Sequence, residues 1–197
     1  MLGGDLEGLK EAARTNIEIF GGRHMDYIVT DCGGCGAELK KYGHHIGGKP
    51  ALAFSTRVRD ISQILAMHAE ELRPLLQPLT ITATYHDPCH IAHCQGIRKE
   101  PRDLLKLIPG LKFRELDEAD ACCGSAGTYN IEYPDMSDRI LKRKLNHIAA
   151  TGAEVLVTGN PGCLLQLKKG LSNHLPDVRI MHLTEIMAHS IAGDWSE

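Results

Sequence analysis

Sulfur is where this sequence concentrates its chemistry. Cys122 and Cys123 stand side by side in Asp120-Ala121-Cys122-Cys123-Gly124-Ser125-Ala126-Gly127. Neighbouring side chains on a strand point to opposite faces, so a strand would separate the two sulfurs. A glycine-rich loop can fold both towards one centre, because glycine adopts backbone angles that other residues avoid. A disulfide between adjacent residues needs a strained ring, which makes joint ligation of a metal or cluster the first expectation. A redox-inert buried turn is the alternative, since cysteine also serves as a small apolar residue. Five further cysteines join the pair: Cys89 after His86-Asp87-Pro88, Cys163 after Asn160-Pro161-Gly162, Cys94, and the two of Cys32-Gly33-Gly34-Cys35.

The elements that must position these residues read as an α/β chain. A length of 197 residues is enough for one substantial domain or two small ones with a core. A net charge of -3 and 5% aromatic content argue against nucleic acid as a partner, lacking both the basic field and the stacking platform. The N-terminus carries acids where a signal peptide needs a basic start and an apolar run, and no stretch reads as a membrane span. The chain is therefore expected to be intracellular, where seven cysteines imply metal, cluster or redox chemistry rather than a disulfide scaffold.

Glu7 to Phe20 has helical spacing and stops at Gly21-Gly22. Tyr27 to Thr30 is a short strand ending at the Cys32/Cys35 run, and helical composition resumes through Ala37 to Tyr42, leaving His44-His45 in a loop. Leu52-Ala53-Phe54 reads as a strand, with Thr56 capping a helix to about Leu72. Strands are then expected at Leu79–Tyr85, Lys112–Leu116, Val155–Thr158 and Arg179–Leu183. They alternate with helices at Pro101–Ile108, Asp135–Ala150, Gly162–Leu171 and Thr184–Ala192. Such alternation implies a mainly parallel sheet. The basic run Arg139 to Lys144 reads as a solvated helix face, with docking of an acidic partner as the lesser reading.

The chain also repeats itself. Ile28 to Lys41 lies over Leu156 to Lys169 without a gap, so Cys35 matches Cys163 and Cys32 matches Asn160. The same register pairs Phe54-Ser55-Thr56 with His182-Leu183-Thr184, and the helix at 7–20 with that at 135–150. The fold expected is two related Rossmann-like βα units, residues 1–78 and 79–197. The first lacks the front half that carries a Cys-Cys-Gly turn in the second, as though the sequence were the C-terminal part of a longer two-repeat protein. In open α/β sheets the loops at the carboxyl ends of strands converge on one crevice. Cys89, Cys122, Cys123 and Cys163 can therefore meet, and four thiolates suit an iron–sulfur cluster or zinc.

Cys89, Cys122-Cys123-Gly124 and Cys163 resemble the cysteine-rich CCG domain, whose pattern is Cys, then Cys-Cys-Gly, then a closing Cys-x-x-Cys. The domain occurs in heterodisulfide reductases, lactate-utilisation proteins and glycolate oxidase iron–sulfur subunits. The runs His86 to His93, Asn160 to Gln166 and Cys35 to His44 are most similar to the last of these. The resemblance implies an iron–sulfur electron carrier serving a flavin-containing 2-hydroxy-acid dehydrogenase subunit. It also implies a cytoplasmic setting that allows peripheral membrane association through the complex. The ferredoxin-like domain usual in such subunits is not seen in this sequence. Asn160 replaces the first cysteine of the closing motif, reducing a set of five sulfurs, associated in relatives with a noncubane cluster, to four. Four suit an ordinary 4Fe–4S cluster or tetrahedral zinc.

Other readings stay beside this one. Cys94 could replace the missing sulfur, although a helical cysteine one turn after His90 reads rather as core. Cys32 and Cys35 are counted with the cofactor-binding residues as half of a second cluster site, yet a Cys-x-x-Cys before a helix also resembles a thioredoxin-type pair. His86, His90 and His93 are expected to support the site or to be structural rather than to ligate. The competing functions are an electron-transfer subunit, a zinc-holding structural or assembly module, and a thiol–disulfide enzyme.

Overall fold

The computed structural model describes residues 4–21 and 25–195; Gly22, half of the expected stop of the first helix, lies outside them. The first unit runs α1 (Leu6–Gly21), β1 (Ile28–Thr30), α2 (Gly33–Leu39), α3 (Tyr42–Ile46), α4 (Gly48–Arg57), β2 (Val58–Asp60), α5 (Ile61–Met67) and α6 (Ala69–Leu72). Its two strands pair in parallel, with Thr30 opposite Asp60. The second runs β3 (Thr82–His86), α7 (Cys89–Ala92), α8 (Lys99–Leu107), β4 (Lys112–Phe113), α9 (Tyr129–Glu132), α10 (Pro134–Thr151), β5 (Val155–Thr158), α11 (Pro161–His174), β6 (Arg179–His182) and α12 (Leu183–Ala192). Its sheet has the order β4-β3-β5-β6, and each pairing is parallel. This is the α/β architecture expected of two Rossmann-like units.

Burial on both faces of the second sheet explains its apolar strands. On β5, Val155 and Val157 pack with β3, α8 and α12, while Leu156 points the other way. There it meets Leu141, Leu145 and Ile148 of α10 and Leu167 and Leu171 of α11. The spacing of Leu141, Leu145 and Ile148 puts them on one helical stripe, and burying each contributes about 1.5–3 kcal/mol. No helix among the described residues is long and apolar enough to cross a membrane.

Several expectations need correction. Leu52-Ala53-Phe54 is not a strand but part of α4. Ala51 and Phe54 are buried at helical spacing, Phe54 stacks on Tyr42 at 5.4 Å, and Leu52 faces outward. The strand lies six residues later, in β2, and the following helix is capped by Asp60 rather than Thr56. The Asp60 carboxylate accepts from the Ser62 N–H at 2.9 Å, and Gln63 Oε1 accepts from the Asp60 N–H at 3.2 Å. The repeat therefore shifts register after α2: Asp60, not the stretch at Phe54, corresponds to His182, which caps α12 in the same way with Glu185. The helix expected to reach Leu72 breaks at His68 into α5 and α6. His44 and His45 lie in α3 rather than a loop, and β4 covers two residues instead of five. In the basic run, Arg139, Lys142 and Arg143 are solvated as expected, but Lys144 is 1% exposed, because it falls on the buried stripe of α10.

Candidate metal centre

The strand ends bring the sulfurs together. A cleft of ≈ 490 Å³ is lined by Cys32, Cys89, Cys122, Cys123 and Cys163, with His86 and Asn160 between them. Cys89 and Cys163 open helices that directly follow β3 and β5. Cys123 and Cys163 are buried at 2% and 6% exposure, and Cys32, Cys89 and Cys122 are half-buried. Cys35 does not line the cleft and is exposed. Cys94 is likewise exposed and lies beyond the end of α7, so it is neither a core residue nor a wall of the cleft.

The paired-cysteine loop takes its shape from Gly124. Its φ is +94°, and a Cβ there would stand 2.6 Å from the Ser137 carbonyl oxygen, so only glycine fits. Ser137 Oγ donates to the Gly124 carbonyl at 2.8 Å and accepts from Gln166 Nε2 at 3.0 Å. The chain just before the loop is held by Lys144, whose ammonium donates to the carbonyls of Glu118 and Ala119. The Gly124 N–H in turn donates to Cys122 Sγ at 3.3 Å.

Burial and neighbouring thiols raise three of the sulfurs that line the cleft. Hydrogen bonding to Cys123, then burial, pushes the Cys122 thiol well above its ordinary value. At Cys123 the bond with Cys122 pulls downward, but Cys163 and burial outweigh it and raise the thiol to about 12. Burial, then Cys122, also raises Cys89. Ligation of a cation by these sulfurs would reverse that direction. Burial, then the Lys144 charge, holds His86 down at about 3, with Asp87 and the Ala119 backbone pulling weakly the other way. Lys144 itself is lowered by burial, against the opposing pull of Cys123.

The first unit contributes through α2. Gly33 lets that helix close on α7, since a Cβ there would meet Ile91 Cγ1 at 2.5 Å, and Gln95 Nε2 donates to the Gly33 carbonyl at 2.9 Å. The Cys32 thiol then donates to Asn160 Oδ1 at 3.7 Å, the same oxygen accepts from the Gly34 N–H at 3.3 Å, and Asn160 Nδ2 donates to Cys163 Sγ at 3.5 Å. Asn160, which stands where the CCG pattern has the first cysteine of its closing motif, thus joins Cys32 to Cys163. Hydrogen bonding to Cys32, then burial, raises the Cys35 thiol.

Sequence reasoning missed the support beneath Cys89. Asp87, 2% exposed, accepts from Arg102 Nη1 and Nη2 at 2.8 Å each, and Arg102 also reaches Glu115. The Asp87 N–H donates to the Ala119 carbonyl at 3.0 Å, joining the Cys89 turn to the loop of the pair. His93 and Arg98 meet Asp120 on the rim, and exposed His90 sits 3.5 Å from Cys89 Sγ.

Comparison with known proteins gives the family. The family model for the cysteine-rich domain, CCG, matches residues 3–40 and 83–168. Over 185 residues the chain is 40% identical to a probable glycolate oxidase iron–sulfur subunit of Bacillus subtilis, covering 90% of this chain and 42% of that protein. It is 34% identical to a subunit of the fumarate reductase (CoM/CoB) of Methanothermobacter marburgensis, covering 96% of this chain and 36% of that one. Lactate utilization protein A of Oceanobacillus iheyensis is 31% identical, with 93% and 76% covered. The chain belongs to the cysteine-rich CCG domain family. It spans less than half the length of the first two relatives. The iron–sulfur relatives and the sulfur-lined cleft support an iron–sulfur cluster here, since converging cysteine thiols are the donor set such a cluster requires.

Proposed function

We propose that this chain is the cluster-bearing part of an iron–sulfur subunit in a 2-hydroxy-acid oxidase of the glycolate type. It would relay electrons from a flavin-containing dehydrogenase subunit to an acceptor. The observation that carries this reading is the convergence of Cys32, Cys89, Cys122, Cys123 and Cys163 on one cleft at the strand ends. Cys89, Cys122, Cys123 and Cys163 hold a cluster of the 4Fe–4S kind, with Cys32 at its edge and Cys35 outside. When bound, the cluster supplies one-electron transfer at a potential set by its ligands, charge and exposure. The chain's own residues do the rest: Lys144 lowers the cost of net negative charge, Asn160 hydrogen-bonds sulfur, and the buried walls limit water. Residues 1–78 are read as the later half of a first CCG repeat and 79–197 as a second repeat. Exposed His90 stands in the cleft wall beside Cys89, where a donor could approach a cluster held there.

The test is iron, sulfide and zinc analysis with EPR on anaerobically reconstituted protein and on Cys123→Ser. About four irons with matching sulfide, lost in the variant, are expected. Reduction of the bound cluster by a flavin dehydrogenase subunit given glycolate or lactate then tests the relay. One zinc without sulfide would refute the electron-transfer role.

A further inference from the structure

We propose that His86 is itself a ligand, giving the centre a buried nitrogen donor beside the sulfurs of Cys123 and Cys163. This rests on reading the cleft as a metal centre, and it goes further by changing the donor set. A ring nitrogen of His86 and the two sulfurs all lie within 4.8 Å of one another, and all three residues are buried. Donors on one tetrahedral metal atom stand about 3.3–3.8 Å apart, so these three lie near enough to share one metal atom of the centre.

His86 is 1% exposed; its ring has only a weak contact with the Ala119 carbonyl, and neither nitrogen has a hydrogen bond of ordinary geometry. A histidine that merely filled the core would be expected to bond at least one of them, because a buried unpaired polar atom forfeits its hydration without return. Coordination supplies that return. The side chain is also placed by a rigid element: His86 is the last residue of β3 and pairs with Thr158 of β5, two residues before Asn160. Asn160 offers sulfur only hydrogen bonds, and His86 provides the donor that this position does not. A nitrogen ligand carries less negative charge than a thiolate, so the centre is more easily reduced than an all-sulfur one.

The test uses the full chain, reconstituted anaerobically with iron and sulfide and grown with 15N-imidazole histidine, examined by pulsed EPR in its paramagnetic state. The expected result is a strongly coupled nitrogen whose pattern changes on labelling, persists in His90→Ala and is lost in His86→Cys. His86→Cys should retain iron and shift the reduction potential downward. Should that variant fail to fold, the labelled wild type and His90→Ala decide between the two histidines. Bound iron and sulfide without histidine nitrogen coupling overturns this inference and leaves the cluster reading standing. Coupling that survives in His86→Cys, or disappears in His90→Ala, also overturns it. Failure of the wild type to bind any iron overturns both.

Discussion

Arg102→Met should cost this protein far more than its place near the surface suggests. The guanidinium forms two 2.8 Å bonds to Asp87, whose side chain is 2% exposed, and a second fork to Glu115, which is 56% exposed. Removing the arginine leaves Asp87 as a buried charge without its cation, a change that costs about 3–5 kcal/mol. Removing only the outer partner, by Glu115→Gln, breaks a solvated pair worth under about 1 kcal/mol. For a chain of this size each kcal/mol moves Tm by about 2–4 °C, so the loss in Arg102→Met amounts to about 6–20 °C. Urea unfolding of the metal-free, reduced protein at neutral pH measures both variants, and an unchanged m-value would show that the same surface is exposed. The double variant Asp87→Asn, Arg102→Met should recover much of the loss, since neither charge is then stranded. If Arg102→Met and Glu115→Gln lose the same amount, within about 1 kcal/mol, the buried pair is not what holds the Cys89 turn.

Other perturbations test other parts of the site. Gly124→Ala puts a Cβ 2.6 Å from a backbone oxygen at φ +94°, so it should lose at least about 1–3 kcal/mol and reduce iron uptake; a loss below about 0.5 kcal/mol in urea unfolding would refute the packing argument. Burial raises the Asp60 carboxyl above its ordinary value, with the Ser62 bonds opposing. The folded state therefore holds that proton more tightly, and the stability this contributes is present below the unfolded pKa and lost as pH rises through the folded one. Asparagine caps equally well, so Asp60→Asn should gain on the wild type as pH rises through the folded pKa, while Asp60→Ala loses about 1 kcal/mol of cap; unfolding curves in which Asp60→Asn falls behind as pH rises would count against this. Cys32→Ser should alter the EPR spectrum of the reconstituted protein and Cys35→Ser should leave it unchanged, since only Cys32 faces the cleft; the reverse result would reassign the ligands.

What could be read from the sequence follows the range of each signal. Leu141, Leu145 and Ile148 announce their helix because period alone defines a buried stripe. The strand–loop–Cys pattern placed Cys89 and Cys163 because parallel sheets gather their loops at one edge. Leu52-Ala53-Phe54 misled because a run of three apolar residues has no period, and the decisive contact, Phe54 on Tyr42, lies outside it. Lys144 sits three residues from Leu141 on the same stripe, so its position marks it as buried although its charge suggests solvent. Asp87 with Arg102, and Asn160 with Cys32, left no local trace, because side-chain partners across the chain have no spacing rule.

The repeat itself shows why equivalence in sequence does not become equivalence at the site. Thr30 and Asp60 are thirty residues apart, whereas Thr158 and His182 are twenty-four apart, although each pair joins the ends of neighbouring parallel strands. The second unit spans the gap with one long helix, α11, while the first breaks it into α2, α3 and α4. Freed from a long helix, α2 tilts its glycine-rich start onto α7, so Cys32 enters the other unit's cleft while Cys35, the counterpart of Cys163, faces solvent. The cap His182 then gains a task that Asp60 cannot perform. Its Nδ1 accepts from the Thr184 N–H at 3.3 Å, which places the ring proton on Nε2, and Nε2 donates to the Asp31 carbonyl at 2.9 Å. One imidazole thus starts α12 and fixes the residue before Cys32, while Asn160 fixes the sulfur. The cleft thus draws on both sheets, with Cys32 after β1 and Cys89 and Cys163 after β3 and β5.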